Sequence, residues 1–117
     1  MSANNRWKCT VDTRHVTSLY NDGDKRGAAR ELATTLKLAL VKPLEREAKQ
    51  LQEQGCVYEV DEHYTGVVWQ LDKWQEIVEQ FTDYAEGEDW FDDEDFEPIA
   101  EQMCDLADSV GVWIASS

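Results

Sequence analysis

The sequence has 117 residues, of which 42% are hydrophobic, enough for one domain with a hydrophobic core. A formal net charge of −14 disfavours direct binding to nucleic acid or to an anionic membrane surface. No apolar run reaches the roughly 18 residues of a membrane-spanning helix, and the first ten residues lack the apolar core of a signal peptide. We therefore expect a cytoplasmic protein, with no part in the membrane.

The charge is divided unevenly along the chain. Residues 1–49 contain ten of the eleven Lys and Arg residues and six acidic residues, for a net charge of about +4. Residues 50–117 contain nineteen acidic residues and a single base, Lys73, for about −18. A net charge governs steering and partner choice more than fold, so we expect a basic partner that meets the second half.

The first elements are short. Residues 7–11 alternate apolar and polar side chains, which predicts a half-buried strand. A short helix follows, capped by Asp12 or Thr13 and ended by the turn-forming residues 21–24.

The next helical stretch is longer. It begins at the N-cap Asp24 and carries apolar residues at spacings of three and four up to Leu40. Pro43 removes a backbone hydrogen bond and clashes with the preceding turn. We therefore expect either one kinked helix to about Gln54 or two helices in tandem, with Gly55 as the C-cap.

The middle of the chain allows two interpretations. Residues 56–60 are predicted to be extended, and residues 64–70 fit either a helix or a strand that forms a hairpin with them. From Leu71 to Glu86 the apolar spacing predicts a helix.

An acidic linker, residues 86–97, leads to the last helix. Pro98 suits the first turn of that helix, because its missing N–H has no partner there in any case. Residues 112–114 are predicted to form a closing strand that pairs with residues 7–11. The predicted fold is a single domain, mostly α, with four or five helices in a compact bundle. A small β-sheet of N-terminal, middle and C-terminal strands is possible.

Motifs for catalysis and metal binding are missing. The spacings of a nucleophile elbow, a phosphate-binding loop and a zincin helix do not occur, and abundant carboxylates single out no acid–base pair. Three widely spaced cysteines fit reduced thiols, and no CxxC or HxxxH pair suggests zinc. A calcium loop starting at Asp89 would need glycine where Glu94 stands. We therefore expect no enzyme activity, no metal and no cofactor.

Carboxylates in the helix before the linker form a row on one face. The members of this acidic row are Asp72, Glu76, Glu79 and Asp83. Neighbours at spacings of three and four lie about 5–6 Å apart, broadly like successive phosphates, so the row can occupy a groove built for phosphates. A second row in the last helix consists of Glu101, Asp105 and Asp108.

An intramolecular role is the alternative for these rows. Basic side chains of the first half would then lie across from the acidic helices and pair with them. The candidates are Arg26, Arg30, Lys37 and Lys49. Exposed ion pairs contribute only about 0–1 kcal/mol each, and these bases cannot balance the acidic excess.

Aromatic residues are interleaved with the linker carboxylates. They can serve as exposed interface anchors, or they can fold back onto the helix core. The candidate partner-binding residues are Asp72, Glu76, Glu79, Asp83, Tyr84, Glu86, Glu88, Asp89, Trp90, Phe91, Asp92, Asp93 and Asp95.

In size, charge and lack of catalytic motifs, the chain resembles small acidic phage-encoded nucleic-acid mimics of the anti-restriction and anti-CRISPR type. The resemblance covers residues 61–108 best and rests on no matched motif. It implies a non-enzymatic inhibitor that occludes the basic nucleic-acid-binding surface of a host defence complex. The alternative is an acidic adaptor or accessory subunit that docks through residues 84–97 without mimicry.

Overall fold

The computed structural model describes the backbone of residues 10–87 and 93–115 and the side chains of residues 11–87 and 94–114. The elements are β1 (Thr10–Asp12), α1 (Arg14–Asn21), α2 (Lys25–Leu36), a π-helical segment (Lys37–Val41), α3 (Lys42–Glu53), α4 (Glu62–Ala85), a 3₁₀ turn (Asp93–Asp95), α5 (Phe96–Val110) and β2 (Trp113–Ala115). This mostly helical architecture confirms the predicted fold class.

Short polar side chains start the first two helices. The Asp12 Oδ1 atom accepts the Arg14 backbone N–H at 3.1 Å at the start of α1. At the start of α2, the Asp24 Oδ1 atom accepts the Gly27 N–H at 2.9 Å. Each carboxylate thus satisfies an N–H that has no partner within its helix, which confirms both predicted starts.

Pro43 disturbs the helix without breaking it. The π-helical segment joins α2 to α3, and Pro43 is the second residue of α3. Because proline has no N–H and its ring crowds the preceding turn, the wider π turn relieves the clash there. Of the two predicted alternatives, the single disturbed helix is therefore the one that forms.

The middle of the chain contains no strand within the described residues. Residues 64–70 belong to α4, and residues 58–60 form a turn while 56 and 57 lie in no regular element, so the predicted strand at 56–60 and its hairpin are wrong. The reason lies in Asp61, whose Oδ2 atom accepts the Val57 N–H at 2.7 Å and whose N–H donates to the Val57 carbonyl at 2.9 Å. These bonds close the segment on itself, so its backbone groups are not offered to a second strand.

The two ends of the described chain pair, which confirms the predicted pairing, but the strands have other bounds, and residues 7–9 of the predicted first strand lie outside the described residues. Strands β1 and β2 run parallel, with Val11 opposite Ile114.

The core lies between α2 and the helices around it. Leu36 from α2 and Trp74 and Phe81 from α4 are fully buried. Phe96, the first residue of α5, packs against Phe81 with ring centroids 5.6 Å apart. Complete burial of such side chains contributes roughly 1.5–3 kcal/mol each. Across the described ranges, no helix has both the length and the apolar content that crossing a membrane requires.

Candidate protein-docking face

Helix α4 separates its apolar and acidic residues onto opposite sides. Val67, Trp74, Ile77 and Phe81 form its buried ridge. Since each residue advances about 100° around the axis, the acidic row falls roughly opposite this ridge. Three of its members are exposed, and Asp83 is half-buried.

The carboxylates of the acidic row have no partners in the described part of the chain. Ion pairs there link Arg14 to Asp12 and Lys25 to Glu97, and the rings of His15 and His63 lie 3.8 Å and 3.0 Å from the carboxylates of Glu31 and Glu47. None of these contacts involves the acidic row, although Lys37 of the first half lines the same surface pocket as Glu79. Arg26, one of the bases considered for pairing, instead donates to the Tyr84 carbonyl and lies 5.1 Å from the centroid of the Tyr84 ring.

The second row lies on the neighbouring helix. Glu101, Asp105 and Asp108 are exposed on α5, opposite its buried residues Ile99, Met103 and Ala107.

Helices α4 and α5 run antiparallel. Gln80 Nε2 donates to Gln102 Oε1 at 3.2 Å, and Tyr84 contacts Phe96 with ring centroids 5.8 Å apart. Both rows therefore point away from the core on helices packed side by side, whose axes typically lie about 8–10 Å apart. We call these seven carboxylates together the acidic face.

Burial and two carboxylates of the acidic face act in the same direction on the Cys104 thiol. Partial desolvation raises the pKa of Cys104, and the nearby charges of Asp108 and Asp105 raise it further, because they oppose formation of the thiolate.

A carboxylate outside the acidic face behaves differently. Glu97 accepts a hydrogen bond from the Tyr20 hydroxyl at 2.6 Å and pairs with Lys25 at 3.2 Å. The Tyr20 hydrogen bond, followed by Lys25, holds the pKa of Glu97 below its ordinary value, although partial desolvation acts in the opposite direction. Glu97 thus has partners within the protein, whereas no ion pair among the described residues involves the acidic face.

The prediction that Tyr84 is an exposed aromatic anchor is wrong. Its side chain is 0% exposed, because position 84 continues the buried ridge of α4 and its ring packs on Phe96. Phe96 is buried as well, so these two aromatics fold back onto the core, as the alternative interpretation predicted.

The other linker candidates are only partly described. Glu86 is exposed directly after α4, and Asp95 is half-buried at the N-cap position of α5. Asp93 begins the 3₁₀ turn. Glu88, Asp89, Trp90, Phe91 and Asp92 lie outside the described residues.

Sequence reasoning missed a group of exposed apolar side chains near the start of α4. Trp69 is the clearest case, because it precedes Asp72 by three residues and Glu76 by seven. If residues 64–70 are helical, this spacing places Trp69 beside the acidic row. The spacing was the sequence signal from which its position could have been predicted.

No group of three or more His, Cys, Asp or Glu side chains in the described ranges is arranged to hold a metal ion. Comparisons with protein-family models, with curated proteins and with solved structures find no match to this chain.

Proposed function

We propose that this protein is a non-enzymatic inhibitor that covers a basic nucleic-acid-binding surface of a partner complex, in the manner of an anti-defence nucleic-acid mimic. The observation that carries the proposal is the acidic face, whose seven carboxylates point outward without ion-pair partners in the described part of the chain.

The spacing of these charges supports mimicry. A helix rises 1.5 Å per residue, so carboxylates three and four residues apart recur about every 5 Å along the axis. Phosphates of a nucleic-acid strand recur at a comparable distance, and proteins bind them with rows of Lys and Arg. A groove of this kind can therefore pair its bases with the acidic row.

Stability considerations support the same conclusion. Like charges three and four residues apart destabilise a helix, and the last turn of α4 has no base to complement its dipole. An arrangement that costs stability and is not neutralised by ion pairs among the described residues fits a surface retained for a partner.

The adaptor alternative has lost part of its basis. It relies on exposed aromatics in residues 84–97, of which Tyr84 and Phe96 are buried. Its two main anchors, Trp90 and Phe91, lie outside the described residues. The acidic face needs no such anchors.

The test begins with affinity capture from bacterial lysate, followed by binding measurements on the purified captured protein. We expect the affinity to fall steeply as salt is added, and we expect nucleic acid to compete for the same surface. Unchanged binding in the presence of saturating nucleic acid would contradict mimicry.

A pair of matched variants makes the test specific. The row variant Glu76→Gln plus Asp83→Asn should lose affinity by about tenfold or more, because each change leaves a base of the partner unpaired. The control variant Asp22→Asn plus Glu53→Gln changes the net charge equally at exposed sites outside the acidic face. Equal affinities of the two folded variants would mean that overall charge, and not the face, drives binding.

A further inference from the structure

Exposed apolar side chains surround the start of α4, at one end of the acidic row. They are Val57 (54% exposed), Tyr58 (48%), Val60 (76%) and Trp69 (45%). We call these four residues the apolar tip. Clustered apolar exposure next to a charged face is characteristic of an interaction site.

A hydrogen bond holds the loop of the apolar tip against the acidic side of α4. The Glu59 N–H donates to Thr65 Oγ1 at 2.8 Å. Thr65 lies four residues before Trp69 and seven before Asp72, so all three share one side of the helix. The backbone of this loop therefore lies beside the side of α4 that carries Trp69 and the acidic row.

Local hydrogen bonds close the backbone of this loop, although its side chains are exposed. Asp61 accepts the Val57 N–H at 2.7 Å, and the Val60 N–H donates to the Val57 carbonyl at 3.1 Å. Glu59 adopts φ = +70°, a left-handed conformation that non-glycine residues rarely occupy. The fold thus holds a strained turn that presents apolar groups to solvent, an arrangement typical of a preorganised binding loop.

Helix α4 also leaves open space beside Trp69. Gly66 lies one turn earlier, and nothing lies within 4 Å of the place that a Cβ atom would occupy. Glycine weakens a helix interior relative to alanine, and packing within the described residues does not require it there. Its absent side chain lets another surface approach the helix backbone next to the indole ring.

We propose that the apolar tip binds the partner together with the acidic row, and that the partner's groove is one that binds single-stranded nucleic acid. This inference rests on the proposed function. Single-strand-binding grooves combine a basic track for the backbone with aromatic or apolar surfaces on which the bases stack. Trp69 supplies a flat ring in the place of a base about one helical turn from Asp72, and Tyr58 supplies a second exposed ring in the loop before the helix.

Surfaces that bind duplex nucleic acid rarely provide a site in which an exposed aromatic ring can stack. They contact phosphates and the edges of bases that remain stacked inside the helix, so most of their sites offer no slot for an exposed ring. The combination of ring and carboxylate therefore favours a single-strand groove.

The first experiment compares two competitors for the captured partner. A single strand of about 16 nucleotides and a duplex of the same sequence are each titrated into the preformed complex. We expect the single strand to displace this protein at a concentration at least about tenfold lower than the duplex requires. Its bases can stack in the groove, whereas the bases of the duplex cannot. Equal or better displacement by the duplex would overturn the inference, while the proposed function would stand. No displacement by either would count against the proposed function itself.

The second experiment uses variants of exposed residues, which leaves the core intact. Tyr58→Ala plus Trp69→Ala should weaken binding by about tenfold at every salt concentration, because a stacking contact is not screened. The matched control, Leu38→Ala plus Trp113→Ala, removes similarly exposed apolar groups elsewhere and should bind like the unmodified protein.

The salt dependence of binding separates the contribution of the acidic row from that of the apolar tip. The row variant Glu76→Gln plus Asp83→Asn should bind with a weaker salt dependence, whereas the apolar-tip variant should keep the original dependence. Full affinity of the apolar-tip variant would refute the inference even if the row variant fails to bind.

Discussion

Neutralising the acidic row without changing its shape should stabilise the free protein. The four-site variant replaces Asp72 and Asp83 by Asn and replaces Glu76 and Glu79 by Gln. These amides have nearly the size and the helix propensity of the acids they replace, so the main change is the loss of charge.

The expected gain follows from the positions of the charges in α4. The row contains three neighbouring like-charge pairs, each unfavourable by roughly 0.2–0.5 kcal/mol. Asp83 also lies in the last turn, where the negative end of the helix dipole opposes a carboxylate by about 0.3–1 kcal/mol. We therefore expect the free energy of unfolding to rise by about 1–2.5 kcal/mol at low salt.

Urea unfolding followed by circular dichroism measures this change. In about 1 M salt the screening length falls to roughly 3 Å, so most of the gain should disappear. Glu62→Gln is the control, because Glu62 lies in the first turn of the same helix, where the dipole favours a carboxylate. Glu62→Gln should destabilise the protein slightly, although it also removes a negative charge, as each substitution of the row variant does. A gain that persists in high salt, or a destabilised row variant, would refute the repulsion argument.

Two further predictions concern contacts behind the acidic face. Arg26→Met should lower the free energy of unfolding by about 1–3 kcal/mol in urea titrations, because the Tyr84 carbonyl loses its guanidinium donor; a change near zero would show that another group replaces it. Tyr20→Phe should raise the pKa of Glu97 toward 4.5, since it removes the chief hydrogen bond to the carboxylate. The contribution of that bond is fully present above about pH 4.5 and is lost as the pH falls through the lowered pKa, so the stabilities of variant and unmodified protein should converge in acid. NMR titration of the Glu97 carboxyl measures the pKa, and an unchanged value would contradict the assignment.

The acidic row could be predicted from sequence because its spacing and the apolar spacing of α4 have the same period. Once Trp74 and Phe81 face the core, the carboxylates must point outward. The prediction for Tyr84 was wrong because it grouped this residue with the linker. The same helical period places Tyr84 on the apolar ridge of α4. Only its packing on Phe96 distinguishes the two roles.

The start of α4 could not be predicted because its residues suit two structures. Val67, Val68 and Trp69 fit a strand as well as a helix, and burial of Val67 within the bundle decides the outcome. The apolar tip was missed because exposed apolar residues look like core residues in a sequence. Asp61 makes the difference by closing the loop with its side chain, a local bond that periodicity does not reveal.

The placement of charge on separate helices also affects how quickly this protein meets a partner. The exposed bases Arg30, Lys37 and Arg46 lie on α2, the π-helical segment and α3, whereas the acidic face belongs to α4 and α5. This uneven distribution of charge gives the molecule an electric dipole moment. In the field of a basic surface it experiences a torque, which turns the acidic face forward before the first contact. Most random collisions of two proteins fail because the wrong patches meet, so this rotation during approach raises the association rate constant.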